Sequence, residues 1–175
     1  MQIESIDEQD ITPEDEKRIT RALQRAFSEG FEDRSFYQQR HNKRFIVRQG
    51  DIIIGHMAVC YRSIRMNDQL IRIAGLAEVA TDPDFRGQGI ASKLMAAVLD
   101  YVEGTQADFF LLFGVRAMYE GNGFLAVPNP VTYVDMQGAK TVSVSQLAKT
   151  YLMVRQMKEI PWDDTADIDL LGHMF

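Results

Sequence analysis

Ten consecutive residues constrain this chain more than any others: Asp82-Pro83-Asp84-Phe85-Arg86-Gly87-Gln88-Gly89-Ile90-Ala91. The apolar run Ile73-Ala74-Gly75-Leu76-Ala77-Glu78-Val79-Ala80 precedes them and reads as a strand. After them, Ile90, Ala91, Leu94, Met95, Val98, Leu99 and Val102 recur at the three- and four-residue spacing of an amphipathic helix. A strand, a glycine loop and a helix N-terminus together make a place for an anion. The first helical turn has N–H groups without partners, and the aligned peptide dipoles favour negative charge there. Gly87 and Gly89 remove side chains that would hold a phosphate away, and Arg86 adds a fixed positive charge.

The flanking sequence predicts an α/β chain. Gln2 to Ile6 reads as a short first strand. Thr12 is placed to cap a helix with Pro13 at its first position, running to about Phe27 with Ile19, Leu23, Ala26 and Phe27 on one face. Residues 31–41 are mixed and read as a short helix carrying Phe36 and Tyr37. Arg44 to Arg48, Ile52 to Met66 and Leu70 to Ala80 form an antiparallel meander, with turns at Gln49-Gly50-Asp51 and Asn67-Asp68-Gln69 and a bulge marked by Gly55. The central helix is predicted over residues 88–103. Asp108 to Phe113 is apolar throughout and reads as a strand buried on both faces, parallel to the strand before the glycine loop. A short helix from Val115 to Glu120 follows, then strands at Phe124 to Val127, Val131 to Met136 and Tyr151 to Met157, with Gln146 to Thr150 ambiguous. The acidic tail from Pro161 holds the only tryptophan, Trp162.

At 175 residues the chain is expected to form one domain. No apolar run is long enough to span a bilayer, and Met1-Gln2-Ile3-Glu4 lacks a signal-peptide pattern, so no membrane partner and a cytoplasmic location are expected. Cys60 is the lone cysteine, expected as a buried small hydrophobe in a reducing compartment. A formal charge of −6 argues against nucleic acid as a partner. His41, His56 and His173 are scattered without metal-ligand spacing, so no metal is expected, and His56 reads as a packed or edge residue.

Two motifs give the chain a family resemblance. Arg86-x-x-Gly89-x-Ala91 resembles the acyl-CoA motif of the GCN5-related N-acetyltransferase (GNAT) superfamily, and Asp82-Pro83-Asp84-Phe85 resembles that family's loop. Downstream, Ala117-Met118-Tyr119-Glu120-Gly121-Asn122-Gly123-Phe124 resembles its A-x-x-Y-E-x-x-G-F segment. A looser similarity links residues 52–91 and the tail to the aminoglycoside 2′-N-acetyltransferase branch, and a faint one links Phe113-Gly114-Val115-Arg116 to rhizobial nodulation acyltransferases. The resemblance implies a single GNAT-like domain over residues 1–175, with a mixed, mostly antiparallel sheet, flanking helices and a parallel strand pair around the cofactor. A homodimer is the default for such a fold.

The resemblance also implies roles. Backbone groups of Arg86, Gly87, Gln88, Gly89, Ile90 and Ala91 would hold the pyrophosphate of acetyl-CoA, and those of Val79, Ala80 and Thr81 would pair with the amides of its pantetheine arm. Tyr119 would donate a proton to the departing thiolate. Glu78, an acid in apolar sequence, is the best internal base for the amine, directly or through water; a pairing with an arginine such as Arg72 is the alternative. Glu32, Asp33, Phe36 and Tyr37 would line the substrate side, beside the hairpin near Arg65 to Gln69, and the carboxylate of Phe175 would enter as base or substrate anchor. The implied reaction is direct acetyl transfer to a primary amine of a small molecule. The alternatives are a non-catalytic acyl-CoA sensor, a longer acyl chain, a carrier-protein donor and a hydroxyl acceptor.

Overall fold

The computed structural model describes residues 2–175. The chain forms two compact units, one from residues up to Cys60 with Ala77–Tyr101, the other from Tyr61–Leu76 with Val102–Phe175. Two long strands, β3 (Ile52–Met66) and β4 (Gln69–Thr81), contribute to both.

In the first unit, β1 (Ile3–Asp7) pairs antiparallel with β2 (Lys43–Gln49), and β2 with the first half of β3. Helix α1 (Pro13–Ala26) starts where Thr12 Oγ1 accepts from the Asp15 N–H at 3.2 Å and Pro13 takes the first position. It buries Ile19, Ala22 and Leu23 against Ile46, Ile53, Ala80 and Phe31. The β2–β3 ladder slips between Val47 opposite Gly55 and Arg48 opposite Ile53, leaving Ile54 as the extra residue of a bulge. Gly55 therefore borders the bulge rather than forming it. Its missing side chain has another consequence: a Cβ there would lie 2.4 Å from Ile90 Cγ2 and 2.9 Å from Leu94 Cδ1. Helix α2 (Ile90–Glu103) rests its first turns directly on that bare backbone.

In the second unit, β5 (Phe109–Phe113) runs parallel to β4, with Ile73–Leu76 beside Phe109–Leu112. Its Phe109, Phe110, Leu111 and Leu112 are all buried, as a strand covered on both faces requires. Short helix α3 (Ala117–Glu120) leads to β6 (Leu125–Ala126). A hairpin of β7 (Val131–Gln137) and β8 (Lys140–Leu147) follows, then β9 (Leu152–Gln156), which pairs antiparallel with β5 and β6. The tail adds β10 (Ile168–Asp169), antiparallel to β3 at Arg65–Met66 and parallel to β7 at Val131–Thr132. The strand set is thus mixed and mostly antiparallel, with the parallel β4–β5 pair bridged by α2.

Three expectations are corrected, and one strand is added. Residues 31–41 contain no helix but turns and bends, because polar groups of this segment are bonded to side chains elsewhere in the unit. Helix α2 begins at Ile90, not Gln88, because Gly87 and Gly89 both have left-handed backbone. Strand β8 was not expected, although Val142-Ser143-Val144-Ser145 alternates apolar with polar residues; nearly all of its residues are exposed, so the alternation marks no buried face. Cys60 is half-buried, not buried.

Gly55→Ala should destabilise the fold by about 1–3 kcal/mol through overpacking against α2. Urea melts of G55A, I90A and the double variant should show a double-variant loss smaller than the sum, since Ile90→Ala removes the clashing methyl.

Candidate active site

The glycine loop hangs from one buried acid. The Asp82 N–H donates to the Ile54 carbonyl at 3.0 Å, and its carboxylate accepts from the Asp84 N–H at 3.0 Å. On the other side Arg25 of α1 donates to Asp82 from Nε at 2.7 Å and from Nη2 at 3.2 Å, and to Asp84 at 2.8 Å. The guanidinium beside it holds the Asp82 carboxyl below its ordinary range. One 3₁₀ turn, Pro83–Phe85, then delivers the chain to Arg86.

Beyond that turn the loop is shaped for a ligand. Gly87 and Gly89 have φ of +76° and +75°, and a Cβ on either would point into open space. Among the described residues, the backbone N–H groups from Arg86 to Ala91 find no loop or cap acceptor. Arg86, Gly87, Gln88 and Gly89 are exposed, whereas Ile90 is buried and anchors α2. These donors and the exposed Arg86 suit a phosphate. A nearby cleft of about 310 Å³ is lined by Arg18, Arg21 and Arg25 but equally by Asp51, Asp82 and Asp84, so its charges cancel.

The ladder between β4 and β5 stops at Leu76, leaving Val79, Ala80 and Thr81 outside it. Between them stands Glu78, whose φ of +52° lies in the left-handed region. For a residue with a side chain such a conformation costs about 1–3 kcal/mol and persists only where surroundings enforce it. Those surroundings are a buried charge network. Arg44 of β2 has no exposed surface. It donates from Nε to Glu8 at 2.6 Å, and from Nη1 to Glu78 at 2.6 Å, to the Ser35 carbonyl at 3.0 Å and to His56 Nε2 at 3.2 Å. Arg40 pairs with Glu8 and Glu16 at the rim. Glu78 Oε1 accepts from the Tyr37 N–H at 2.7 Å and lies 2.9 Å from His41 Nε2.

These contacts fix protonation states. His56 sits between an arginine, which can only donate, and the Glu78 carbonyl 2.9 Å from Nδ1, which can only accept. It is therefore neutral with its proton on Nδ1. Burial, reinforced by Arg44, pushes its pKa down to about 4. Burial pushes the Glu78 carboxyl up, but its partners His41 and Arg44 outweigh that and hold it at about 2. A carboxylate held so is a weak proton acceptor and a strong positioning group. Glu78 does pair with an arginine, but with Arg44; Arg72 is engaged with Asp108 at 2.9 Å.

Tyr119 of α3 is buried, its ring edge-on to Phe124 and fitted over Gly114, where a Cβ would come within 2.7 Å of the ring. Burial raises its pKa, so the phenol keeps its proton. On the expected substrate side, Tyr37 is 47% exposed and leans on Phe31, Phe36 lies under the Arg40 guanidinium, Glu32 pairs with Arg34, and Asp33 is exposed. The Phe175 ring packs on Phe113 and beneath Arg62 in the second unit. The structure thus joins Tyr37 to Glu78. It adds His41, Arg44 and His56, which sequence reasoning placed in no site. Arg44 and His56 carried a signal, as ionisable groups inside strand sequence where burial demands partners; His41, outside any strand, carried none. Among the described residues, no group of three or more His, Cys, Asp or Glu is placed to hold a metal ion.

The family model for the acetyltransferase (GNAT) domain matches residues 9–126. The chain belongs to the GNAT acetyltransferase family. It is 25% identical over 161 residues to an aminoglycoside 2′-N-acetyltransferase of Mycolicibacterium fortuitum, covering 91% of this chain and 83% of that protein. Among solved structures, a GNAT family acetyltransferase from Brucella melitensis, in complex with acetyl-CoA, aligns with a TM-score of 0.58 at 17% identity, covering 95% of this chain and 94% of that one. The GNAT family N-acetyltransferase YhbS of Escherichia coli, in complex with CoA, aligns with a TM-score of 0.61 at 18% identity, over 96% and 88% of the two chains. These structural likenesses establish a GNAT fold for this acetyltransferase. No helix among its described residues is long and apolar enough to cross a membrane.

The network makes stability depend on pH in a defined window. His56 is neutral when folded and takes a proton when unfolded, so the unfolded chain binds more protons between the ordinary value of 6.5 and about 4. Stability should be complete above pH 6.5 and fall by on the order of 3 kcal/mol toward pH 4, before most carboxylates titrate. Glu78 extends the loss from pH 4.5 toward 2. Urea midpoints across this range should show the slope, and His56→Asn should flatten its upper part. A wild-type profile level from pH 6.5 to 4.5 would contradict the buried neutral imidazole.

Proposed function

We propose that the protein transfers an acetyl group from acetyl-CoA to a primary amine of a small molecule, by direct attack and without an acyl-enzyme, as one acyltransferase domain spanning residues 1–175. The carrying observation is the loop from Arg86 to Ala91: unpartnered N–H groups, two glycines that face open space, and an exposed arginine at the head of α2. That set fits a pyrophosphate. Backbone groups of Val79, Ala80 and Thr81, outside the β4–β5 ladder, pair with the amides of the pantetheine arm. Tyr119 supplies the proton that the departing thiolate needs; a phenol kept neutral by burial is able to give it. Glu78 acts as a fixed anion that holds the Tyr37 backbone and the bend in β4. The amine acceptor is supported by the aminoglycoside 2′-N-acetyltransferase relative. Tyr37 and Phe36 offer it an aromatic surface, with Glu32 and Asp33 nearby in sequence. The working place is the cytoplasm.

Acetyl-CoA should raise the melting temperature, and free thiol should appear when amines are supplied. Tyr119→Phe should lower kcat about 100-fold while leaving the acetyl-CoA melting shift intact. No shift with saturating acetyl-CoA would end the donor assignment, and thiol release with alcohols alone would move the acceptor from nitrogen to oxygen.

A further inference from the structure

We propose that His56 is a positioning residue for acetyl-CoA: its Nδ1–H, held on the Glu78 carbonyl, aims the peptide groups of Val79, Ala80 and Thr81 toward the pantetheine arm. This role rests on the acetyl-CoA reading above. The three residues stand between two holds, both supplied by β3 within the first unit. At one end, His56 Nδ1 lies 2.9 Å from the Glu78 carbonyl. At the other, the Ile54 carbonyl accepts from the Asp82 N–H at 3.0 Å. Ile54 is the extra residue of the β3 bulge, and His56 follows two positions later.

The first hold decides direction. A trans peptide is planar, so the Val79 N–H points opposite to the Glu78 carbonyl. Fixing that carbonyl on His56 therefore fixes where the Val79 N–H is aimed. The φ of +52° at Glu78 interrupts the regular alternation of peptide directions along β4, and a residue with a side chain keeps it only when held. The ladder with β5 has already ended at Leu76, so β5 does not set the direction. The imidazole itself is fixed. It is fully buried, and Arg44 Nη1 donates to Nε2 at 3.2 Å, which leaves the proton on Nδ1. Arg44 is held in turn by Glu8, the Ser35 carbonyl and the Glu78 carboxylate. One guanidinium thus grips the Glu78 side chain directly and the Glu78 backbone through His56.

The test compares two ligands by calorimetric titration: CoA, and 3′-phospho-ADP, which keeps the phosphates but lacks the pantetheine arm. The wild type should bind CoA the more tightly. His56→Gln places its amide where Nε2 stood and leaves the Glu78 carbonyl without its donor. It should weaken CoA about 10-fold and leave 3′-phospho-ADP unchanged. His56→Asn places an amide N–H where Nδ1–H stood and should restore most of the CoA affinity. Both variants remove the imidazole from the interior, so lost packing alone would lower the two alike. Parallel loss of both ligands in His56→Gln, equal CoA loss in the two variants, or unchanged CoA affinity in His56→Gln makes His56 structural and overturns the proposal. Imidazole nitrogen NMR of the wild type needs no variant. It should show Nδ1 protonated and Nε2 bare at about pH 7. An Nε2–H form overturns the proposal even if His56→Gln does not fold. A wild type that binds neither ligand counts against the acetyl-CoA reading itself, whereas intact wild-type binding with any of those contrary variant results counts against His56 alone.

Discussion

Arg44 carries a full charge with no access to water, and much of the first unit is arranged to make that tolerable. A buried guanidinium gains stability only when its donors are matched by acceptors with good geometry. Here the matches come from four separate places: Glu8 after β1, Ser35 in the connection to β2, His56 on β3 and Glu78 on β4. Elements distant in sequence therefore converge on one cation. Removing one partner would leave a buried charge uncompensated, a loss several times that of a surface pair. The arrangement specifies positions more than it adds net stability.

What it positions is the bend in β4. An acidic residue at φ +52° would relax to ordinary strand geometry if its side chain and carbonyl were free. Instead Arg44 and the Tyr37 N–H hold the carboxylate, while His56 Nδ1–H holds the carbonyl. The strained residue is thus gripped at both ends. The strain sits where β4 has left its partner β5, as expected where backbone must serve a ligand rather than a ladder.

Much of this was legible in the sequence. The loop from Asp82 to Ala91, the parallel relation of β4 to β5 and the long β3 all follow from periodicity and glycine placement, which are local signals. The helix expected around Phe36 was not there, because its polar groups are claimed by residues 9 and 41 positions away. Glu78 could be singled out as an anomalous acid, but not its partners: Arg44, His41 and His56 meet it only through long-range folding. Strand β8 was missed although Val142-Ser143-Val144-Ser145 alternates, because that alternation marks no buried face. The failures around Phe36 and Glu78 have one root. Sequence pattern reports burial along one element, and says little about polar groups satisfied from another.

The tail of the second unit has a different bearing. Trp162 stands edge-on to Phe109 at 5.1 Å, and its indole N–H donates to Asn129, which also binds the Asp163 and Ala166 carbonyls. It is the chain's only tryptophan. Its emission is therefore a built-in optical reporter of one place, the seat of the tail against β5. It contains no tryptophan signal from the first unit, so a fluorescence melt and a far-ultraviolet dichroism melt watch different parts of this molecule, and their coincidence measures how cooperatively the two units unfold.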